Sequence, residues 1–275
     1  MKGKTKNMTK DTTKDEAEDA SKSATLKGKN ALVTGASRNL GAVTALALAR
    51  CGSNVIINDI DSTQSRAEAE KLLKTLGELE VKALFIPADV TRSSEVHSLC
   101  RRSLDALGKI DIVVNNAGPF NAQPFLELEE KTWDSIMDAN LKAVYLTTRE
   151  LAPLMKSHGW GRIVTMCAGS AYVRNHGVYG LAKAAVQVLT ESLALELGPE
   201  ITVNSVAPGQ IAESLPDIQR IDPTFGERYT ARAPLKRLVT REEVARLIAL
   251  LCSPAFDSMT GVVMRFDGGA EIPRF

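Results

Sequence analysis

Tyr179 and Lys183 stand four residues apart in the run Tyr179-Gly180-Leu181-Ala182-Lys183. On a helix that spacing puts both side chains on one face. An ammonium beside a phenol favours the tyrosinate, which predicts a Tyr179 pKa drawn down from about 10 toward neutrality. Such a phenol can give a proton to the oxygen of a carbonyl, or take one from an alcohol. A Tyr four positions before a Lys also arises by chance, so the pair carries weight only in company.

Company comes from the N-terminal part. A short apolar run, Asn30–Thr34, leads into Gly35-Ala36-Ser37-Arg38-Asn39-Leu40-Gly41, which opens a stretch of helical composition. A strand, a glycine-containing turn and a helix N-terminus make a place for a pyrophosphate, held by backbone N–H groups and the helix dipole. Gly35 permits the tight turn, and Gly41 lets helix and strand approach. Asn39 occupies the middle position and is the residue that best tolerates a left-handed backbone after glycine. Taken alone, an ordinary turn explains the segment equally well. Asp59 ends the next apolar run about twenty residues on, where an acid accepts hydrogen bonds from both ribose hydroxyls of an adenosine and repels an added phosphate. It reads alternatively as a loop acid beside Asp61. Arg38 argues the other way, since a guanidinium there could bind such a phosphate.

These groups need elements to position them. Strand-like runs at residues 30–34, 54–58, 82–87, 111–115, 162–167, 201–206 and 262–266 alternate with helical stretches. The helical stretches are 40–51, 64–76, 93–107, 132–158, 178–197 and 241–251; Thr132 is the expected N-cap of the longest, and glycines follow several as stops. The alternation predicts an α/β protein: one doubly wound, Rossmann-like domain over residues 26–275 with a seven-stranded parallel sheet. Residues 210–240 lack clear pattern and are expected to form a substrate loop.

Bulk composition narrows the function. Hydrophobic residues make up 44% of 275, enough for a large core. Lys plus Arg total 34 against 33 Asp plus Glu, a formal charge of +1, which gives no support for a nucleic-acid or membrane-surface partner. No apolar run is long enough to span a bilayer. Cys51, Cys100, Cys167 and Cys252 lie far apart, without metal spacing, and read as thiols of a reducing compartment, hence a cytoplasmic protein with no metal. Residues 1–25 are polar, lack the apolar region of a secretory signal and are expected to be a disordered tail.

Taken together, the landmarks resemble the short-chain dehydrogenase/reductase family. They are the Thr34–Gly41 turn, Asp89-Val90, Asn115-Asn116-Ala117-Gly118, Asn140, Tyr179 with Lys183, Pro208-Gly209 and Asp267-Gly268-Gly269, in that order across residues 26–269. The resemblance implies an NAD(P)-dependent oxidoreductase moving a hydride between nicotinamide and a carbonyl or secondary alcohol. NAD(H) is favoured by Asp59, and NADP(H) remains open through Arg38. Tyr179 would exchange the proton, Lys183 would also hold the nicotinamide ribose, and Asn140 would hold a relay water. Cofactor contacts would fall on Gly35, Ser37, Arg38, Asn39, Leu40, Gly41, Asp59, Asp89, Val90, Asn116, Ala117, Gly118, Tyr179, Lys183, Pro208, Gly209 and Ile211. The family habit of pairing the helices placed at 132–158 and 178–197 implies a homotetramer.

Three residues depart from the pattern. Ala168 stands where a serine orients the substrate oxygen; Ser170 either supplies the hydroxyl or is an ordinary loop serine. Glu213 replaces a threonine that follows Pro-Gly. Asn39 replaces a glycine. A low-activity dinucleotide sensor or scaffold, or a nonredox lyase or epimerase, therefore stands as an alternative on the same fold. Asn140 reads alternatively as a helix-face amide bonded to backbone. Cys167 reads as core, and His97 and His158 as surface. His176 stands where it would line a substrate site. Arg220, Arg228, Arg232 and Arg237 suit either a solvated face or an anionic, carrier-bound substrate.

Overall fold

The computed structural model describes residues 25–173 and 177–273. The tail expected at residues 1–25, Thr25 apart, and His176 lie outside the described residues. Seven apolar runs form the strands β1 Asn30–Val33, β2 Asn54–Ile57, β3 Ala83–Phe85, β4 Ile112–Asn115, β5 Gly161–Met166, β6 Ile201–Pro208 and β7 Val263–Phe266. All pair in parallel, in the order β3-β2-β1-β4-β5-β6-β7. Every residue of β1, β4, β5 and β6 is buried. Helices cover both faces of the sheet, so these strands lack the in–out alternation of a half-exposed one, and even their polar side chains, Arg162, Thr165, Asn204 and Ser205, are buried.

The helices are α1 Asn39–Arg50, α2 Thr63–Leu76, α3 Ser93–Leu107, α4 Glu130–Met137, α5 Ala143–Ser157, α6 Ser170–Val173, α7 Gly177–Leu197, α8 Leu215–Gln219, α9 Phe225–Arg232 and α10 Arg241–Leu251. One apolar layer joins the sheet to α1 and α10 through Ala45, Leu48, Val244 and Ile248. The other joins it to α3, α5 and α7 through Val96, Leu99, Leu151, Met155 and Leu197. The order of strands reverses between β1 and β4, which opens a crevice at their carboxyl ends. Among the described residues, no helix is long and apolar enough to cross a membrane.

Two expectations need correction. The helix read as 132–158 starts earlier, at Glu130, with Glu129 rather than Thr132 at its N-cap. Carboxylates at Glu129 and Glu130 suit the positive end of a helix. It is also interrupted, since Asp138–Lys142 is a π-turn between α4 and α5. One inserted residue shifts the apolar stripe by about 100°, but the eight residues of α4 are too few to fix its phase, so the pattern reads as unbroken. The stretch 210–240 is not a plain loop either. It holds a 3-10 turn at Ala212–Ser214 and the helices α8 and α9, the first too short to show periodicity.

Candidate active site

An open cleft of about 1590 Å³ lies at the carboxyl ends of the strands. That exceeds an ordinary ligand pocket and suits a dinucleotide together with a second ligand. All the residues expected at the site line it except Ser37 and Asn140, which stand behind its wall.

The turn after β1 is built by close backbone packing. Gly35 has φ +60°, and a Cβ there would lie 2.9 Å from Ala117 Cα. A Cβ at Gly41 would overlap the Gly35 carbonyl oxygen and come within 2.7 Å of Ala36 Cα. Asn39, with φ +53°, is one of two left-handed non-glycine residues among those described. Arg38 is the N-cap of α1 and gives no side-chain cap, so no side chain of the cap competes for the first-turn N–H groups. Asn116 braces the turn: its Nδ2 donates to the carbonyls of Thr34 and Gly35, both at 3.0 Å. The backbone N–H groups of Asn116 and Ala117 donate to Thr34 Oγ1 at 3.0 and 3.1 Å.

Asp59 is half-buried beyond β2. Its Oδ2 accepts from Ser37 Oγ at 2.6 Å and its Oδ1 from the N–H of Ile60 at 2.9 Å. Ser37 therefore orients the carboxylate from behind. Asp89 turns its Oδ1 to the N–H and hydroxyl of Thr91, at 2.9 and 2.7 Å, while Val90 is buried beside it.

At the other end, β5 stops at Met166 and passes through Cys167, Ala168 and Gly169 into α6. Tyr179 and Lys183 sit one turn apart on α7. The Lys183 ammonium donates to the Met166 carbonyl at 2.7 Å and lies 5.6 Å from the Tyr179 ring centre. Burial lowers Lys183 to about 8. Burial also pushes the Tyr179 phenol well above its ordinary value, with the Cys167 thiol adding to the rise. This reverses the expected direction: in the chain alone, desolvation outweighs an ammonium already committed to a carbonyl, so Tyr179 holds its proton. Phe120 meets the Tyr179 ring edge-on at 5.1 Å.

Asn140 lies in the π-turn, fully buried. Its Nδ2 donates to the carbonyls of Pro119 and Ile136 at 3.1 and 3.0 Å, while its Oδ1 has no partner among the described residues. A Cβ at Gly118 would overlap this carboxamide, so Gly118 admits Asn140 beneath the turn after β4. Ser170 is buried at the start of α6, and its Oγ likewise has no partner among the described residues. Burial raises the Cys167 thiol, and its Sγ lies 3.2 Å from the Lys183 carbonyl, as fits a core thiol rather than a nucleophile.

Pro208 ends β6, and the Gly209 N–H donates to Phe266 at 3.0 Å. Ile211 bridges Val239. Glu213 accepts from the Arg241 N–H at 3.1 Å, so it caps α10 from outside instead of standing in for a threonine. Carboxylates face the arginines of this stretch: Asp217 pairs with Arg220, Asp222 with Arg228 and Glu243 with Arg237. That pairing weakens the reading of a cluster for an anionic substrate. His97 bonds Glu150 at 3.1 Å, and His158 ends α5.

Sequence reasoning missed Tyr229 and Glu271, which both line the cleft. Glu271 follows β7, in a stretch too short for any pattern, and burial raises it to about 7.

The family model described as Enoyl-(Acyl carrier protein) reductase matches residues 35–271. The chain belongs to the short-chain dehydrogenase/reductase family. A 3-oxoacyl-[acyl-carrier-protein] reductase of Synechocystis is 36% identical over 89% of this chain and 97% of its own. The structure of a gluconate 5-dehydrogenase from Burkholderia cenocepacia, in complex with NADP and tartrate, matches with TM-score 0.86 and 27% identity over 93% of this chain and 100% of that one. A 7α-hydroxysteroid dehydrogenase complexed with NADH and 7-oxo glycochenodeoxycholic acid matches with TM-score 0.84 and 29% identity, over 90% and 96%. As a family member the chain is an NAD(P)-dependent oxidoreductase acting on a small molecule. The two ligand-bound relatives differ in dinucleotide, so membership alone leaves the choice between NAD and NADP to the residues around Asp59.

Proposed function

We propose that this short-chain dehydrogenase/reductase interconverts a carbonyl and a secondary alcohol, with Tyr179 exchanging the proton and NAD(H) preferred. The observation that carries the reading is the convergence of the Tyr179 phenol, the buried Lys183 ammonium and the Asn140 π-turn at one end of the cleft. The cleft fits a dinucleotide. The glycine-packed turn draws the start of α1 tight against the end of β1, and that uncapped start presents N–H groups for a pyrophosphate. Asp59, held by Ser37, would take the adenosine ribose hydroxyls, with Asp89 and Val90 beside the base. Lys183 would hold the second ribose. When bound, the nicotinamide supplies or accepts the hydride.

The chain's own residues manage the proton. Tyr179 is protonated in the free chain and so is set to donate to a carbonyl oxygen. Lys183, charged below about pH 8, stabilises the tyrosinate that donation leaves. Ser170 supplies the second hydroxyl in place of Ala168. Phe120, Tyr172, Ile218, Ile221 and Phe225 line the substrate end, which favours an apolar body around the reacting carbon.

The chain also assembles as a homotetramer in this reading. Tyr145 and Leu154 on α5, and Leu181, Val188 and Leu195 on α7, are exposed apolar residues, with Leu195 89% exposed.

The test is loss of nicotinamide absorbance when the protein meets NADH or NADPH and a panel of ketones. Turnover with Tyr179→Phe should fall by about 10²–10⁴, with dinucleotide affinity little changed. Wild-type turnover in Tyr179→Phe would overturn the proton assignment.

A further inference from the structure

We propose that Tyr229 and Glu271 are positioning residues: they fasten the lid helix α9 and the segment after β7 onto the backbone at Gly169, and so hold Ser170 in the wall of the cleft. The inference rests on reading the cleft as an oxidoreductase site.

The geometry is a chain of close contacts among four segments. The Glu271 carboxyl lies over Gly169, where a Cβ would overlap both of its oxygens. The Tyr229 hydroxyl occupies the equivalent space over Gly209. That hydroxyl accepts the Gln210 N–H at 3.1 Å and donates to Glu271 Oε1 at 3.3 Å. Asp267 fixes the last segment, accepting from the N–H groups of Gly269 at 2.8 Å and Glu271 at 2.9 Å. The loop after β5, the segment after β6, the lid and the segment after β7 are thereby tied through two side chains. Ser170 follows Gly169 directly, and its hydroxyl has no side-chain tether of its own among the described residues.

The contact has a protonation requirement. Glu271 Oε2 is buried without a partner among the described residues. Such an oxygen is tolerated on a neutral acid and costly on a carboxylate. The groups around it are Asp267 on its own segment, Tyr229 and Arg232 on α9, Arg265 on β7, Tyr172 on α6 and Cys167 after β5. Burial first, then Asp267, raise Glu271 to about 7, and the Tyr229 hydrogen bond and the two arginines oppose them. The acid is neutral and seated below that pH. Above it the carboxylate leaves its niche and the lid loosens.

The experiment measures KM and kcat for a reducible ketone at pH 6 and pH 8, and hydrogen exchange of the α9 amides at the same pH values after correction for intrinsic rates. For wild type, KM should rise up to roughly tenfold between the two, as expected for one group titrating near 7, with kcat changing less. Protection of α9 should fall by a similar factor. Glu271→Gln, neutral at both pH values, should keep the low-pH KM and the α9 protection throughout. Tyr229→Phe should raise KM severalfold at pH 6 with dinucleotide affinity preserved. A pH-independent KM and protection in wild type, or a loss confined to kcat in both variants, overturns the proposal. If no ketone is reduced, the oxidoreductase reading fails, and the exchange data alone decide on the latch.

Discussion

Replacing Lys183 by methionine should abolish turnover and yet stabilise the fold near neutral pH. Lys183 is 4% exposed, and burial brings it from 10.5 to about 8. A fall of that size means that holding the charged form inside costs about 3 kcal/mol relative to the neutral amine, at 1.36 kcal/mol per unit. Methionine removes the charge and fills similar volume. It also removes the 2.7 Å bond to the Met166 carbonyl, which returns about 1 kcal/mol in the other direction. The net expectation at pH 7 is a gain of about 2 kcal/mol, or a Tm higher by about 4–8 °C for a chain of this size. The folded-state value is depressed for a cationic group. The native state therefore binds fewer protons than the unfolded chain between pH 8 and 10.5, and wild-type stability rises with pH across that window. The variant lacks this rise, so its advantage should shrink above pH 8 and reverse by pH 10.5. Urea denaturation of both proteins at pH 7 and pH 10 measures the difference, and other titrating groups cancel in it. A variant destabilised by 1 kcal/mol or more at pH 7, or a difference that ignores pH, would refute the reasoning.

Three further outcomes follow from the geometry. Gly41→Ala should push α1 off the turn and weaken dinucleotide binding at least tenfold, measured by quenching of nicotinamide fluorescence, because the added Cβ meets backbone rather than a yielding side chain. Asp59→Ser should bring the two dissociation constants together, weakening NADH and tightening NADPH; equal or tighter NADPH binding in wild type would show that Arg38 governs the choice. Leu195→Lys should lower the mass found by sedimentation at micromolar concentration without lowering Tm by more than a few degrees, since the side chain is exposed in the protomer.

Much of the fold and of the site is legible in the sequence. Mostly apolar runs without alternation mark the buried strands, because a sheet covered on both faces removes the alternation of a half-exposed one. The i, i+4 spacing of Tyr179 and Lys183 and the left-handed tolerance of Asn39 are local properties, and local properties survive folding. What escaped was set by distance in the chain. The Met166 carbonyl that binds Lys183, and the burial that reverses the expected shift of Tyr179, come from packing β5 against α7. The place of Glu213 after Pro-Gly points to the cleft, whereas its partner is the start of α10, 28 residues on. Glu271 and Tyr229 meet across 42 residues, and neither stands in a recognisable pattern.

The π-turn at Asp138–Lys142 has a consequence for how the chain tolerates change in length. One residue more than an α-helical turn requires is looped out there, and each residue of an α-helix advances its neighbours by about 100°. Deleting the surplus residue would let the turn close into regular α-helix while the residues beyond it keep their facing. Deleting one from regular helix, such as Ala143, would instead turn the rest of α5 by that angle: Met155 would take the exposed place of Leu154, and Tyr145 the buried place of Val144. The turn is thus the place where this stretch can lose a residue without turning the fifteen of α5, and what disappears with it is the seat of one buried amide.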